Sequence, residues 1–161
     1  MEYVQKTEKD EKELTELITR SWSSDKILSR GKLYRVNDLD GIITYDNGKI
    51  IGMGLYYIKD KHCEIVLLET YKRNEGIGTK IIEKIKEAAT AMRCSKIWLV
   101  TSNDNIDAIK FYQKRGFYIS NFYQNAIEES RKLKPEIPLL GEYGIPIKDE
   151  IEFEIKMTYL P

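Results

Sequence analysis

Ile65-Val66-Leu67-Leu68-Glu69-Thr70-Tyr71-Lys72-Arg73-Asn74-Glu75-Gly76-Ile77-Gly78-Thr79-Lys80-Ile81-Ile82 passes from an apolar run through a glycine-rich turn into an amphipathic stretch. Cys63 to Leu68 has a continuous apolar centre, which suits a strand covered on both faces. Ile77, Ile81, Ile82, Ile85, Ala88, Ala89 and Met92 recur at helical spacing and form one apolar stripe. Between strand and helix, Gly76 and Gly78 remove two side chains where the first amides of a helix point outward. Those unpaired N–H groups and the positive end of the helix dipole make an anion site, and Arg73 adds a cation at the same mouth. A phosphate or pyrophosphate is the ligand such a mouth suits. A P-loop is excluded because Gly78-Thr79-Lys80 breaks its spacing. A dinucleotide fingerprint is excluded because Ile81 stands where its third glycine belongs and the strand follows hairpins.

Working outward, Leu14, Leu17 and Ile18 predict a helix after Thr7. Gly41 to Tyr45 and Ile50 to Ile58 flank Asp46-Asn47-Gly48, and Asn-Gly is a strong hairpin signal. Lys59-Asp60-Lys61 makes a second turn into the apolar strand. Downstream, Lys96 to Thr101 reads as another buried strand. Asn105 to Lys114 reads as a short helix capped by Asp104 or Asn105. Phe117 to Phe122 is a strand and Ala126 to Leu133 a helix ending before Pro135. Pro135 to Pro146 holds three prolines with Gly141 and Gly144, so it forms an extended, stiff loop. Ile151, Phe153, Ile155, Met157 and Tyr159 alternate with polar residues as a half-covered strand. The expected fold is α/β of the α+β kind: a mixed, mostly antiparallel central sheet flanked by helices on both faces, in one domain over 1–161.

The 161 residues contain 26 Lys plus Arg and 26 Asp plus Glu, a formal net charge of zero, which argues against nucleic acid as a partner. No apolar run is long enough to span a membrane, and Met1 to Gln5 lacks the regions of a signal peptide, so a cytoplasmic location is expected. Cys63 and Cys94 form no Cys-x-x-Cys pair, and no metal site is expected. Both read as buried small hydrophobes rather than nucleophiles.

Arg73-Asn-Glu-Gly76-Ile-Gly78 resembles the Arg/Gln-x-x-Gly-x-Gly/Ala signature of the GCN5-related N-acetyltransferase (GNAT) superfamily. A second block, Asn105, Ala108, Phe111-Tyr112 and Arg115-Gly116-Phe117, is similar to that family's Asn-x-x-Ala-x-x-Phe-Tyr-x-x-x-Gly-Phe pattern. The resemblance covers Val4 to Phe122, while the helix and Pro-rich loop at about 124–148 look subfamily-specific. It implies acetyl-CoA as cosubstrate, with the pyrophosphate on the amides of Asn74, Glu75, Gly76, Ile77, Gly78 and Thr79, beside Arg73. It further implies a pantetheine arm along the backbone of Val66, Leu67 and Leu68, with Asn105 touching it from the next helix.

Transfer to an amine needs a neutral nitrogen, donors for the developing oxyanion and a donor for the departing thiolate. Tyr112 matches the tyrosine the family uses for the last role, and Asn105, Ile109 and Tyr112 share one helix face. Glu64 is the first candidate for the base, Glu69 at the strand's end the second, and water the third. Glu64 shares strand parity with His62, Val66 and Leu68. The resemblance implies a small-molecule or peptide amine as acceptor, and the residues do not separate a small amine, an amino acid, a peptide amino terminus and a protein lysine. Trp22, Tyr34, Tyr56, Tyr57, Phe122 and Tyr123 either line the acceptor pocket or belong to the core. Glu152 and Glu154 either hold a cationic amine or form a solvated face. The stiff loop, with Arg131, Lys132 and Lys134 nearby, either gates the cleft or braces a homodimer. The resemblance thus implies direct N-acetyl transfer through a ternary complex, the alternative being a non-catalytic acyl-CoA-binding domain on the same fold.

Overall fold

Asn47 and Gly48 both take positive φ (49° and 74°), the backbone a two-residue hairpin turn requires, and they join β4 (Asp40–Asp46) to β5 (Lys49–Lys59). Asp60 and Lys61, again at positive φ, turn β5 into β6 (His62–Thr70). The computed structural model describes residues 1–159; residues 160 and 161, which the sequence reading includes in the domain, lie outside the described residues. Around the hairpins the chain adds β1 (Glu2–Gln5), α1 (Glu11–Trp22), β2 (Ile27–Ser29), β3 (Lys32–Tyr34), α2 (Ile77–Ala91) and β7 (Lys96–Ser102). It ends with α3 (Ile106–Lys114), β8 (Tyr118–Tyr123), α4 (Ala126–Leu133) and β9 (Glu150–Lys156). The main sheet has seven strands in the order β1-β4-β5-β6-β7-β9-β8, while β2 and β3 form a separate hairpin. Among the described residues only the β6–β7 pairing of this sheet is parallel.

Helices cover both faces, as the apolar patterns require. Ile77, Ile81, Ile82, Ile85 and Ala89 of α2 pack on one face with Ile97, Leu99, Tyr112, Phe117 and Phe153. Leu14 and Ile18 of α1 pack on the other with Val36, Leu39, Ile43, Met53 and Leu55. Met92, the last member of the α2 stripe, lies beyond the helix and is 55% exposed. In β7, Ile97 and Leu99 are buried and alternate with partly covered residues, so this strand is half-covered rather than buried on both faces. Pairing in β9 stops at Lys156. Beyond it Met157 N donates to the Ser95 carbonyl and the Tyr159 hydroxyl to the Cys94 carbonyl.

Two irregularities position the site. β6 and β7 pair only from His62 to Glu64 against Lys96 to Trp98, then diverge. At the same place the β5–β6 register passes from Tyr56–Ile65 to Leu55–Leu67, which leaves Val66 as an unpaired bulge. The bulge resets the alternation expected from sequence. Val66 and Leu67 both pack with the α1-side core, and Leu68 packs with the α2-side core, opposite to the Glu64 face.

Candidate active site

The splay between β6 and β7 opens a cleft of about 760 Å³ through the sheet. Ile65 to Leu68 and Leu99 to Ser102 form its two strand edges, Asn105, Ala108 and Tyr112 its α3 wall, and Trp22 with Ile27 and Leu28 the α1 side. Within α3 it is Ala108, not Ile109, that shares this wall with Asn105 and Tyr112; Ile109 packs into the core.

At the start of α2, Gly76 takes φ 70°, the left-handed region that suits glycine, and nothing lies within 4 Å of where its Cβ would be. The open space and the amides of Ile77, Gly78 and Thr79, which find no carbonyl partner among the described residues, make a cradle for an anion. Arg73, Asn74 and Glu75 are exposed at its rim, Asn74 itself at φ 61°. Gly78 answers a second demand as well: a Cβ there would sit 3.1 Å from Phe111 Cζ, so its absence lets α3 dock on α2. Arg115 locks that contact. Its guanidinium lies 3.5 Å from the Phe111 ring centroid and donates to the Phe111 carbonyl (2.8 Å) and to Thr79 Oγ1 (2.9 and 2.7 Å). The Thr79 side chain is therefore committed to packing, which leaves its backbone amide for the cradle.

Asn105 caps α3, its side-chain oxygen accepting from Ala108 N at 3.2 Å, so its amide donors remain for the cleft. The alternative cap, Asp104, serves the loop instead, where its carboxylate accepts from Ser102 Oγ and from the backbone N–H of Glu142 at 3.0 Å. Tyr112 is 7% exposed, edge-packed by Phe111 and Phe117 and close to Phe153. No hydrogen bond to its hydroxyl occurs among the described residues, and burial pushes its pKa well above that of an ordinary phenol.

The two glutamates stand behind the cleft wall. Glu64 is 6% exposed, and its two oxygens accept from Ser29 Oγ and from the Tyr34 hydroxyl at 3.0 Å. Glu69 accepts from Ser21 Oγ at 2.9 Å, while its other oxygen is buried without a partner. Burial raises the Glu64 pKa against the lowering effect of its hydroxyl donors. A carboxyl raised in this way binds more protons folded than unfolded, so its contribution to stability falls as pH climbs from the unfolded value near ~4.3 toward the folded one. The difference in Tm between Glu64→Gln and wild type should shift in favour of the variant between pH 4 and 7, each kcal/mol appearing as about 2–4 °C. A difference that is flat with pH in scanning calorimetry would contradict this.

Of the aromatic candidates, Trp22 lines the cleft, Tyr34 and Tyr56 are buried, and Phe122 is 59% exposed. Glu152 and Glu154 match neither sequence reading. Glu152 is buried and accepts from Ser120, Asn121 and Tyr123, and Glu154 pairs with Lys96 at 3.2 Å and accepts from Tyr118 at 2.6 Å. Both cysteines are fully buried, and burial pushes the Cys63 thiol up to about 12.

The stiff loop is a wall of the cleft. Glu136, Ile137, Pro138, Gly141 and Glu142 line it. Arg131 of α4 donates to the carbonyls of Ile137, Pro138 and Ile147, Asp104 holds Glu142, and Tyr143 donates to Asp107 at 3.0 Å. Lys134 closes the far end by donating to the Lys26 carbonyl at 2.9 Å. Arg131→Ala strands three carbonyls and should cost about 1–3 kcal/mol. Hydrogen exchange read by mass spectrometry should then quicken over residues 135–147 and not in α2.

Sequence reasoning missed Ser29, Arg30 and Glu150, which matter through partners distant in the chain, and the role of Arg115, which joins nearby Phe111 to distant Thr79. Arg115 stood inside the Arg115-Gly116-Phe117 block and could have been flagged as a cation beside the glycine turn.

A family model described as acetyltransferase (GNAT) family matches residues 4–117. The uncharacterized protein YdhI of Bacillus subtilis (strain 168) is 41% identical over 141 residues, covering 87% of this chain and 88% of that protein. Thialysine N-epsilon-acetyltransferase of Mus musculus is 32% identical over 74 residues, covering 42% of this chain and 44% of that protein. A GNAT family acetyltransferase from Elizabethkingia anophelis with acetyl-CoA bound shares the fold, with TM-score 0.67 and 22% identity over 75% of this chain and 78% of that one. The family match spans the glycine turn, the splayed strands and the whole α3 wall, and the chain belongs to the GNAT acetyltransferase family.

Proposed function

We propose that this chain is an acetyl-CoA-dependent N-acetyltransferase that moves the acetyl group directly to a primary amine in a ternary complex. The observation that carries the reading is a cleft lined by the bulged edge of β6 and by Tyr112 of α3, with the open amide cradle of α2 adjoining α3 through the Gly78–Phe111 contact. A solved family member with acetyl-CoA bound and a relative named for transfer to a nitrogen both support it.

Acetyl-CoA supplies an acetyl thioester when bound. The amides of Asn74 to Thr79 would hold its pyrophosphate, with Arg73 at the rim. The strand edge of β6 facing the splay offers Val66, Leu67 and Leu68 to the pantetheine arm, and Asn105 offers amide donors from the other side. The Tyr112 hydroxyl donates a hydrogen bond to the sulfur as the C–S bond breaks. Burial keeps that phenol protonated and makes full proton transfer costlier, so it acts chiefly by stabilising the growing thiolate charge. Glu64 and Glu69 lie behind the wall, so the proton of the attacking amine leaves through cleft water. Both buried cysteines are absent from the cleft lining, which favours direct transfer over a covalent acyl-enzyme.

The test is calorimetric titration with acetyl-CoA, followed by free-thiol release with an amine panel. Micromolar binding and amine-dependent thiol release are expected. A folded protein that does not bind acetyl-CoA would overturn the reading.

A further inference from the structure

Phe153 packs against Tyr112 on the α3 face of β9, so by strand alternation Glu150 and Glu152 point to the opposite face. There the β2–β3 hairpin meets β9. Arg30, held at φ 48° in the hairpin turn, stacks over the Tyr123 ring at 3.5 Å and donates to Glu150 Oε2 at 3.1 Å. Glu150 is 5% exposed and lines the cleft, and its Oε1 has no hydrogen-bond partner among the described residues. Of the other carboxylates of this face, Glu64 is satisfied by Ser29 and Tyr34 and Glu152 by Ser120, Asn121 and Tyr123, while Glu69, whose second oxygen has no partner, is outside the cleft lining. Of the two lysines in the lining, Lys134 has its ammonium on the Lys26 carbonyl. A nearly buried carboxylate with one oxygen neutralised and the other open to the cleft calls for a cation.

That cation cannot usefully be the reacting nitrogen. A carboxylate beside an ammonium favours the protonated form, which has no lone pair for attack. We infer that Glu150 anchors a second, non-reacting ammonium of the acceptor, so that the preferred substrates are aliphatic diamines or amines carrying another cationic group. Arg30 fixes the carboxylate so that its free oxygen presents to the cleft. This inference rests on the acetyltransferase reading above and narrows its acceptor.

The experiment compares 1,3-diaminopropane, 1,4-diaminobutane and 1,5-diaminopentane with monoamines of equal chain length, by thiol release at saturating acetyl-CoA. At least one diamine should show kcat/KM tenfold or more above its monoamine, with the difference in KM. In Glu150→Gln, which keeps the acceptor atom for Arg30 but loses the charge, that preference should vanish through KM while kcat changes less than threefold. Acetyl-CoA binding, titrated separately, should not move. If acetyl-CoA binds and no diamine outperforms its monoamine, or none is acetylated, the inference falls and the cosubstrate reading stands. If acetyl-CoA does not bind, both fall. Retention of the diamine preference in Glu150→Gln would also overturn it. The wild-type comparison needs no variant to fold.

Discussion

Gly76→Asp is expected to weaken acetyl-CoA binding at least a hundredfold in calorimetric titration while moving Tm by no more than a few degrees. The glycine turn performs two jobs, and this position touches only one of them. Gly76 precedes the first turn of α2 in the left-handed region, where Asp is among the better tolerated residues, and its Cβ would meet nothing within 4 Å. The backbone cost, about 1–2 kcal/mol, is offset in part because a carboxylate at a helix start is favourable to the helix dipole. The same carboxylate occupies the cradle that the pyrophosphate needs. Juxtaposing like charges costs several kcal/mol, and about 2.7 kcal/mol already corresponds to a hundredfold. Gly78 would be the wrong place for this experiment, because any side chain there presses on Phe111 and confounds binding with folding. Unchanged affinity in a folded Gly76→Asp protein would move the anion site elsewhere.

What the sequence discloses about this molecule divides along the sheet. The α2–α3 face is encoded by short-range signals: a glycine turn between a strand and an amphipathic helix, and an Asn-capped helix that carries Phe111-Tyr112. Each can be read within about a dozen residues, and the structure has both elements close to the expected bounds. The bulge at Val66 has no such mark, since Ile65, Val66, Leu67 and Leu68 are all apolar and a slipped register leaves the composition of the strand unchanged. Strand parity along β6 therefore holds up to Val66 and fails at Leu68. The opposite face is less legible still. Glu150 meets Arg30 across 120 residues, and Glu64 meets Ser29 across 35. A carboxylate in a strand reads as solvated until its partner from a distant hairpin is known. The composition of the loop announced stiffness, but its place as a cleft wall depends on Arg131 and Asp104 acting from other elements.

Tyr112→Phe separates an enzyme from a binding domain on the same fold. The hydroxyl has no protein partner among the described residues, so its removal strands no donor or acceptor, and the ring keeps its contacts with Phe111, Phe117 and Phe153. Tm should be unchanged or slightly higher, and acetyl-CoA affinity should stay within about threefold. If the hydroxyl stabilises the departing thiolate, kcat should fall about a hundredfold, the low end for loss of a positioned proton donor. The loss should appear equally in kcat and kcat/KM for the amine, as expected when an interaction exists only in the transition state. The pH profile gives a second readout. A donor whose pKa is ordinary for a phenol would begin to lose its proton near ~10 and the rate would fall there. Burial raises the Tyr112 value, so the wild-type alkaline fall should lie above that point, and the slow Phe variant should show no phenol-linked fall at all. A variant that retains full kcat would mean that the thiolate departs into solvent unaided, with Tyr112 reduced to an aromatic side chain of the core.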